Sequence, residues 1–333
     1  FLCSRIFMIF SVDVMGYEND ISESIKACRD FCKKNNDVKI ILVGDESKIK
    51  MHLKSENEFT IHHASEEILM TDDPLSIRNK KNSSMYQAIE LVKLNKADGV
   101  LSAGNTSCFV FLSYLILGKI KGVNKIGFMP FMPTRKGNGV NFIDVGANKE
   151  CDASDLVDFA KMGKIYIEKV RKIKNPKIGI LNIGTEDNKG LNYHIEANKL
   201  LKKEKEINYI GFIESRELLE GDNVDLIVSD GFVGNITLKA LEGTFKTVAK
   251  SLLDTRKKPL FGWLWFLFSL PNLLKIKKKF DYKNNAGAIV IGLSKIAVKT
   301  HGSADYKQFY SSLRLLKETV SAKLIEILEK EFK

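Results

Sequence analysis

The chain has 333 residues, 44% of them hydrophobic and 28% charged, enough to bury a large core without disulfide or metal staples. These proportions exclude a disordered chain, a collagen-like repeat and a disulfide-framed miniprotein. Lys and Arg total 52 against 41 acids, and the net charge of +11 favours anionic partners while leaving the fold open.

In chain order, short β-branched runs alternate with helical patterns. Met8–Val14 predicts a strand and Ile21–Lys34 a helix, with Cys28 and Cys32 one turn apart on its buried face. Val38–Val43 is a strand, Gly44-Asp45 leads into a short polar helix, and Phe59–His63 is a strand. Ser83–Leu94 is a helix capped by Ser83 or Ser84. Gly99–Ser102 is a strand and Thr106–Leu117 an apolar helix. Lys125–Phe131 and Val140–Val145 are strands, followed by a helix over Ser154–Ile173 with Ser154 as its cap. Lys177–Ile183, Ile207–Ile213 and Val224–Val228 are strands, separated by a helix over Leu191–Lys202. A helix covers Ile236–Leu253, and the remainder reads as helical to the end. This alternation predicts βαβ units, hence a three-layer α/β/α fold around a mostly parallel sheet.

The informative residues follow the strands. Asp13-Val-Met-Gly16, Ser102-Ala-Gly-Asn-Thr106, Asp144-Val-Gly-Ala-Asn148, Asn182-Ile-Gly-Thr-Glu-Asp-Asn-Lys-Gly190 and Ser229-Asp-Gly-Phe-Val-Gly-Asn235 all combine Gly with small polar or charged residues. In open α/β sheets ligands bind beyond the carboxyl ends of strands. Glycines let backbone N–H groups approach an anion, and the following helix adds its positive end. One such loop is an ordinary turn. Five predict a shared polar site, with phosphate as its natural ligand. The sequence has no P-loop, no G-x-S-x-G elbow and no H-E-x-x-H, and the five histidines have no metal-ligand spacing. The expected chemistry therefore rests on positioning and electrostatics, with no metal and no cofactor.

The five cysteines include no C-x-x-C pair and read as reduced thiols of a cytoplasmic protein. The longest apolar run, Leu260–Leu270, is about half the ~20 residues of a membrane-spanning helix. Arg256-Lys-Lys258 and Lys275-Ile-Lys-Lys-Lys279 flank it with seven basic residues and no acid between them, and Pro259 and Pro271 bound it. A buried core helix is the plain alternative. The basic flanks favour an arm over 254–280 that touches a membrane surface through Leu260, Phe261, Trp263, Leu264, Trp265 and Phe268.

The strand-end motifs, together with Lys81-Asn-Ser-Ser-Met85, Phe159-Ala-Lys-Met-Gly163 and His301-Gly302, occur in an order that resembles the bacterial acyl-acyl-carrier-protein:phosphate acyltransferase family (PlsX). The likeness runs from Met8 nearly to the end. It implies a single domain over 8–333, with 1–7 upstream of the natural start. It implies a fold akin to the isocitrate/isopropylmalate dehydrogenases and phosphotransacetylases, and a homodimer. It also implies conversion of acyl carrier protein thioester and inorganic phosphate to acyl phosphate and free carrier protein, early in phospholipid synthesis. The product would pass to a membrane glycerol-3-phosphate acyltransferase, with the enzyme cytoplasmic and peripherally membrane-associated. Two loops depart from the family pattern: Tyr17-Glu18 replace a glycine and an aspartate, and Asn285-Ala286 replace Tyr and Gly.

Lys189, bracketed by glycines at a strand end, is expected to face phosphate, and Asn235 or Asn105 to stabilise the oxyanion. Asn235 reads equally as a helix cap, and the two roles are compatible. Gly104, Thr106, Gly146, Asn148, Gly184, Thr185, Gly190, Gly234 and His301 complete the expected phosphate and substrate site. Asp13 and Asp230 read as turn or cap residues, and Arg78 as a phosphate or carrier contact or a plain surface residue. A coenzyme A-dependent phosphate acetyl- or butyryltransferase and a catalytically weak membrane-associated scaffold are the alternatives. A nucleic-acid partner is not expected, because the basic residues surround a greasy helix.

Overall fold

The computed structural model describes residues 7–136, 139–254, 261–280 and 286–333, with the backbone alone for 261–265 and 276–278. The described strands form one sheet of eleven. In chain order they are β1 (Met8–Asp13), β2 (Val38–Gly44), β3 (Thr60–His63), β4 (Gly99–Ser102), β5 (Gly127–Met132), β6 (Val140–Ile143), β7 (Ile178–Asn182), β8 (Tyr209–Glu214), β9 (Leu226–Val228), β10 (Ala288–Ile291) and β11 (Ile296–Lys299). Their spatial order is β3-β2-β1-β4-β11-β10-β5-β6-β9-β7-β8. Pairing is parallel except at β11–β10, β10–β5 and β5–β6.

Helices cover both faces, as the three-layer expectation requires. The first half is sandwiched between α1 (Ile21–Lys34) with α9 (Tyr306–Ser321) and α3 (Ser84–Lys93) with α4 (Thr106–Leu117). The second half lies between α5 (Ala153–Tyr166), α6 (Asn192–Leu201) and α10 (Leu324–Glu331) on one face and the start of α7 (Gly231–Asp254) on the other. A short α2 (Glu46–Lys50) follows β2, and α8 (Phe261–Lys279) follows α7. Cys28 is buried on α1, facing Phe31 and the α9 side chains Phe309 and Leu313.

Several elements differ from the sequence reading. The stretch after α8 is not all helical: β10 and β11 enter the middle of the sheet. Ala-Ile-Val-Ile and Ile-Ala-Val-Lys are four-residue runs buried throughout, and periodicity cannot tell such runs from a buried helix. The α5 cap is Asp152 rather than Ser154, in a reciprocal capping box with Asp155. α7 starts five residues before the predicted Ile236, because Asp230 accepts from the Phe232 and Val233 N–H groups and caps it. Asn235 is therefore inside the helix and is not its cap. Pro271 lies within α8 rather than at its edge.

The antiparallel strands have a larger consequence. They reverse the chain direction between the halves, so the carboxyl ends of β1, β4 and β11 lie at one edge of the sheet and those of β6, β9 and β7 at the other. The five motif-bearing loops thus divide between two edges.

Candidate active site

At the second edge, β6, β9 and β7 are adjacent and parallel, so three Gly-bearing loops emerge side by side. Asp144 organises the first. Its Oδ1 accepts from the N–H groups of Phe128 (2.9 Å), Gly146 (3.1 Å) and Ala147 (3.0 Å), and its Oδ2 from Asn148 N (2.8 Å) and Nδ2 (2.9 Å). Burial pushes this carboxyl above its ordinary pKa, opposed by the donors around it. The Asn148 amide also donates to the Ile126 carbonyl at 2.6 Å, so its donors are divided between Asp144 and the chain entering β5.

The start of α7 packs directly on this loop. A side chain at Gly234 would come within 2.0 Å of the Asp144 carbonyl, and one at Gly231 within 2.3 Å of the Asn148 carbonyl. Both positions therefore require glycine. One turn into the helix, Asn235 lies over Gly146, its Nδ2 3.5 Å from where a Cβ would stand. Among the described residues the Asn235 amide has no hydrogen-bond partner, so its donors are available to a ligand.

The third loop follows β7. Asn182 closes it by accepting from Ile183 N at 2.9 Å and donating to the Lys189 carbonyl at 3.0 Å. Gly190 has φ +91°, and a side chain there would strike the Asn182 amide. A side chain at Gly184 would meet the Glu186 carboxylate at 2.7 Å and the Lys189 stem at 3.3 Å, whereas Thr185 and Lys189 are exposed. Tyr193, on the first turn of α6, donates to Asp230 Oδ2 at 3.0 Å and ties this loop to the start of α7. Leu191 at the α6 cap has no oxygen to offer, and its N–H donates to His194 Nδ1 at 3.3 Å.

The first edge has a buried polar row beneath exposed Thr106 and His301. Asp13, Ser102 and Lys299 pair in register across β1, β4 and β11, and all three are buried. Ser102 Oγ donates to Asp13 Oδ2 at 2.7 Å and accepts from Gly104 N at 3.1 Å. Asn105 caps α4 by accepting from Cys108 N, and its amide donates to the Met70 and Asp72 carbonyls. Thr106 opens the helix. His301 contacts Ser303, and desolvation depresses its pKa, with Glu242 the main opposing charge. Tyr17, where the family pattern has glycine, packs edge-on against Phe309 and donates to Ser24 Oγ. Arg78 is exposed on a 3-10 turn.

The expected residues thus fall into two groups. Gly146, Asn148, Gly184, Thr185, Lys189, Gly190, Gly234 and Asn235 gather at the second edge, and Gly104, Asn105, Thr106 and His301 at the first. α7 links them: Glu242 and Lys246, which act on His301, lie seven and eleven residues beyond Asn235, about 10 and 16 Å along the helix axis. Lys299 and Asp144 were missed as site residues by the sequence reading. Lys299 carried a visible signal, because Val298-Lys-Thr-His-Gly302 ends a β-branched run with the same polar-Gly pattern as the other loops.

Of the arm, Leu260 and the side chains of Phe261, Trp263, Leu264 and Trp265 lie outside the described residues. Phe268 is 82% exposed. Phe245 of α7 packs on Phe280, with ring centroids 5.2 Å apart, which pairs α7 with the chain at the end of α8.

The protein-family profile described as "Fatty acid synthesis protein" matches residues 8–327. The phosphate acyltransferase of Malacoplasma penetrans (strain HF-2) is 78% identical over 325 residues, covering 98% of each chain. A phosphotransacetylase structure from Streptococcus pyogenes shares the fold, with a TM-score of 0.62 at 16% identity over 97% of this chain and 96% of that one. A putative 4-hydroxythreonine-4-phosphate dehydrogenase from Salmonella typhimurium does so at 0.52 and 10% identity, over 93% and 99%. The fold expectation, phosphotransacetylase-like and dehydrogenase-like, agrees with both neighbours. With the profile spanning nearly the whole chain and a relative of this identity, the chain belongs to the phosphate acyltransferase family and is an acyltransferase.

Proposed function

We propose that the enzyme transfers an acyl group from acyl carrier protein thioester to inorganic phosphate, at the second edge of the sheet. The observation that carries this reading is the Asn235 amide, held over Gly146 with no hydrogen-bond partner among the described residues, while Lys189 is exposed on the loop after β7, the strand that pairs with β9. A phosphate oxygen attacks the thioester carbonyl carbon. The carbonyl oxygen becomes negative in the tetrahedral intermediate and takes a hydrogen bond from Asn235. The C–S bond then breaks, the thiolate leaves on the carrier and takes a proton from solvent, and the acyl phosphate remains. Lys189 and the loop N–H groups hold the phosphate and offset its repulsion from the developing charge. Asp144 and Asp230 do not repel the anion strongly, because N–H and O–H donors occupy their oxygens. Gly104, Thr106 and His301 contact the substrate from the first edge, across α7.

The product is an anionic amphiphile and needs a lipid destination. The paired α7 and α8, with Phe268, Leu267, Val248 and Leu253 exposed and basic clusters at 256–258 and 275–279, suit a membrane surface. No described helix is long and apolar enough to cross a membrane. A homodimer, peripheral membrane attachment and delivery of acyl phosphate to a membrane glycerol-3-phosphate acyltransferase complete the reading.

The test is phosphate-dependent release of free thiol from purified acyl carrier protein thioester, run beside acyl coenzyme A. Release from the carrier thioester alone supports the reading. Release from acetyl or butyryl coenzyme A alone replaces it, and no release from either leaves the scaffold alternative. For the arm, Phe268→Glu should reduce co-sedimentation with anionic liposomes. Unchanged sedimentation of this variant removes Phe268 from the contact.

A further inference from the structure

The buried row at the first edge is not used by the proposed chemistry. Lys299 is 2% exposed and Asp13 1% exposed. The Lys299 ammonium donates to the carbonyl of its neighbour Thr300, and no carboxylate lies within ion-pair distance among the described residues. Close by, the hydroxyls of Ser84 and Thr300 are buried without a hydrogen-bond partner of ordinary geometry, although Ser84 stands near enough to lower the Asp13 pKa. A fold needs none of this for stability, since an apolar side chain at position 299 would avoid burying a poorly paired charge.

The row does connect three loops. Asp13 Oδ1 accepts from Met15 N at 3.2 Å, and its Oδ2 reaches Gly104 N through Ser102 Oγ. Lys299 holds the Thr300 carbonyl, and Gly302 O accepts from Glu18 N at 2.9 Å. Asn19 closes the ring by donating to the Ser303 and Ala304 carbonyls. The loops are also in steric contact, since a Cβ on Gly104 would stand 3.6 Å from the Gly16 carbonyl.

We propose that Lys299 and Asp13 are a positioning pair for acyl transfer: opposite charges across Ser102 that keep the loops bearing Gly104, Asn105, Thr106 and His301 in one arrangement. This rests on the acyltransferase reading given above. Both side chains are buried, so they act through the loops they hold rather than on substrate directly. Burial raises Asp13 to about 6 and lowers Lys299 to about 7, and each charge opposes the other's shift. Asp13 is faced by Ser102, Ser84, the Met15 N–H and Lys299. Lys299 is faced by Asp13, and acts with Glu242, Lys246 and Glu18 on His301. Acid therefore discharges Asp13 and base discharges Lys299, and either change uncouples the loops.

The experiment compares wild type, Lys299→Met, Lys299→Arg and Asp13→Asn. Thiol release is measured from pH 5.5 to 8.5, and amide hydrogen exchange at Met15, Gly104 and Glu18, whose N–H groups make the loop hydrogen bonds. Lys299→Met should lower kcat by about 100-fold with little change in the phosphate KM, since small misplacements near a reacting centre cost that much. It should also abolish the alkaline limb of the profile and speed exchange at the three amides. Lys299→Arg should restore part of kcat and move that limb upward. Wild-type kcat and an unchanged limb in Lys299→Met would overturn the proposal. So would a rate loss accompanied by faster exchange throughout the sheet, which marks a merely structural role. Should Lys299→Met fail to fold, the near-isosteric Asp13→Asn tests the same link through the acid limb. If wild type releases no thiol, the carrier-thioester reading fails, and the exchange data still decide whether the pair holds the loops.

Discussion

The two edges of the sheet carry loops of the same composition and put them to different use. At the first edge the polar groups are turned inward: Asp13, Ser102 and Lys299 are buried, and the Asn105 amide is divided between a helix cap and two loop carbonyls. At the second edge one carboxylate, Asp144, gathers the backbone donors, and among the described residues the Asn235 amide and the Lys189 ammonium have no hydrogen-bond partner. Glycine with Asn or Asp at a strand end is therefore not itself a catalytic signature. What distinguishes an acting residue from a framework residue is whether its hydrogen bonds are already made, and three asparagines of the expected site separate on this test. Asn105 and Asn148 are framework, and Asn235 is free.

The comparison breaks most decisively at Lys189. If the second edge holds the phosphate, Lys189→Ala removes an exposed cation from the loop after β7 and should lower turnover by about 10³-fold, at the upper end for a single electrostatic group. Its exposure means that thermal stability should hardly move. Near wild-type turnover at saturating phosphate would show that the anion is held elsewhere, and the first edge would become the candidate.

Asn235→Ala sharpens the same point with a smaller effect. Loss of one oxyanion donor should cost about 10²-fold in kcat. Because Asp230 caps α7 and Asn235 lies inside it, the change to a better helix former should leave the melting temperature unchanged or slightly higher. A clear fall in stability with unchanged turnover would return Asn235 to a framework role.

Much of this was legible in the sequence. Ile21–Lys34, Gly99–Ser102 and Thr106–Leu117 have the predicted bounds, because a strong amphipathic period, a short apolar run before Ser-Ala-Gly and an Asn cap fix them locally. The glycine loops were legible for the same reason. The division of the site was not. It depends on β10 and β5 running antiparallel between the halves, and strand direction is set by long-range pairing that no local pattern records. Lys299 was lost through the same gap, since a lysine at the end of an unrecognised strand reads as part of a solvated helix.

The smallest expected effect on rate lies at Asn105. Its Oδ1 accepts from Cys108 N at 3.1 Å, and its Nδ2 donates to the Met70 and Asp72 carbonyls at 2.9 and 3.1 Å. No donor remains for an oxyanion in this arrangement. Asn105→Ala removes the α4 cap, which typically costs about 1 kcal/mol, and frees two loop carbonyls that water can reach. The variant should melt about 1–2 °C lower while losing less than about tenfold in kcat, because the loop loosens without losing a reacting group. Asn105→Asp separates the parts further. The carboxylate keeps the cap and improves its interaction with the helix end, but cannot donate to residues 70 and 72. If Asn105→Asp retains the cap stability yet loses as much rate as Asn235→Ala, the Asn105 amide reaches the reacting carbonyl after all. The contrast between a framework edge and a reactive edge would then have to be abandoned.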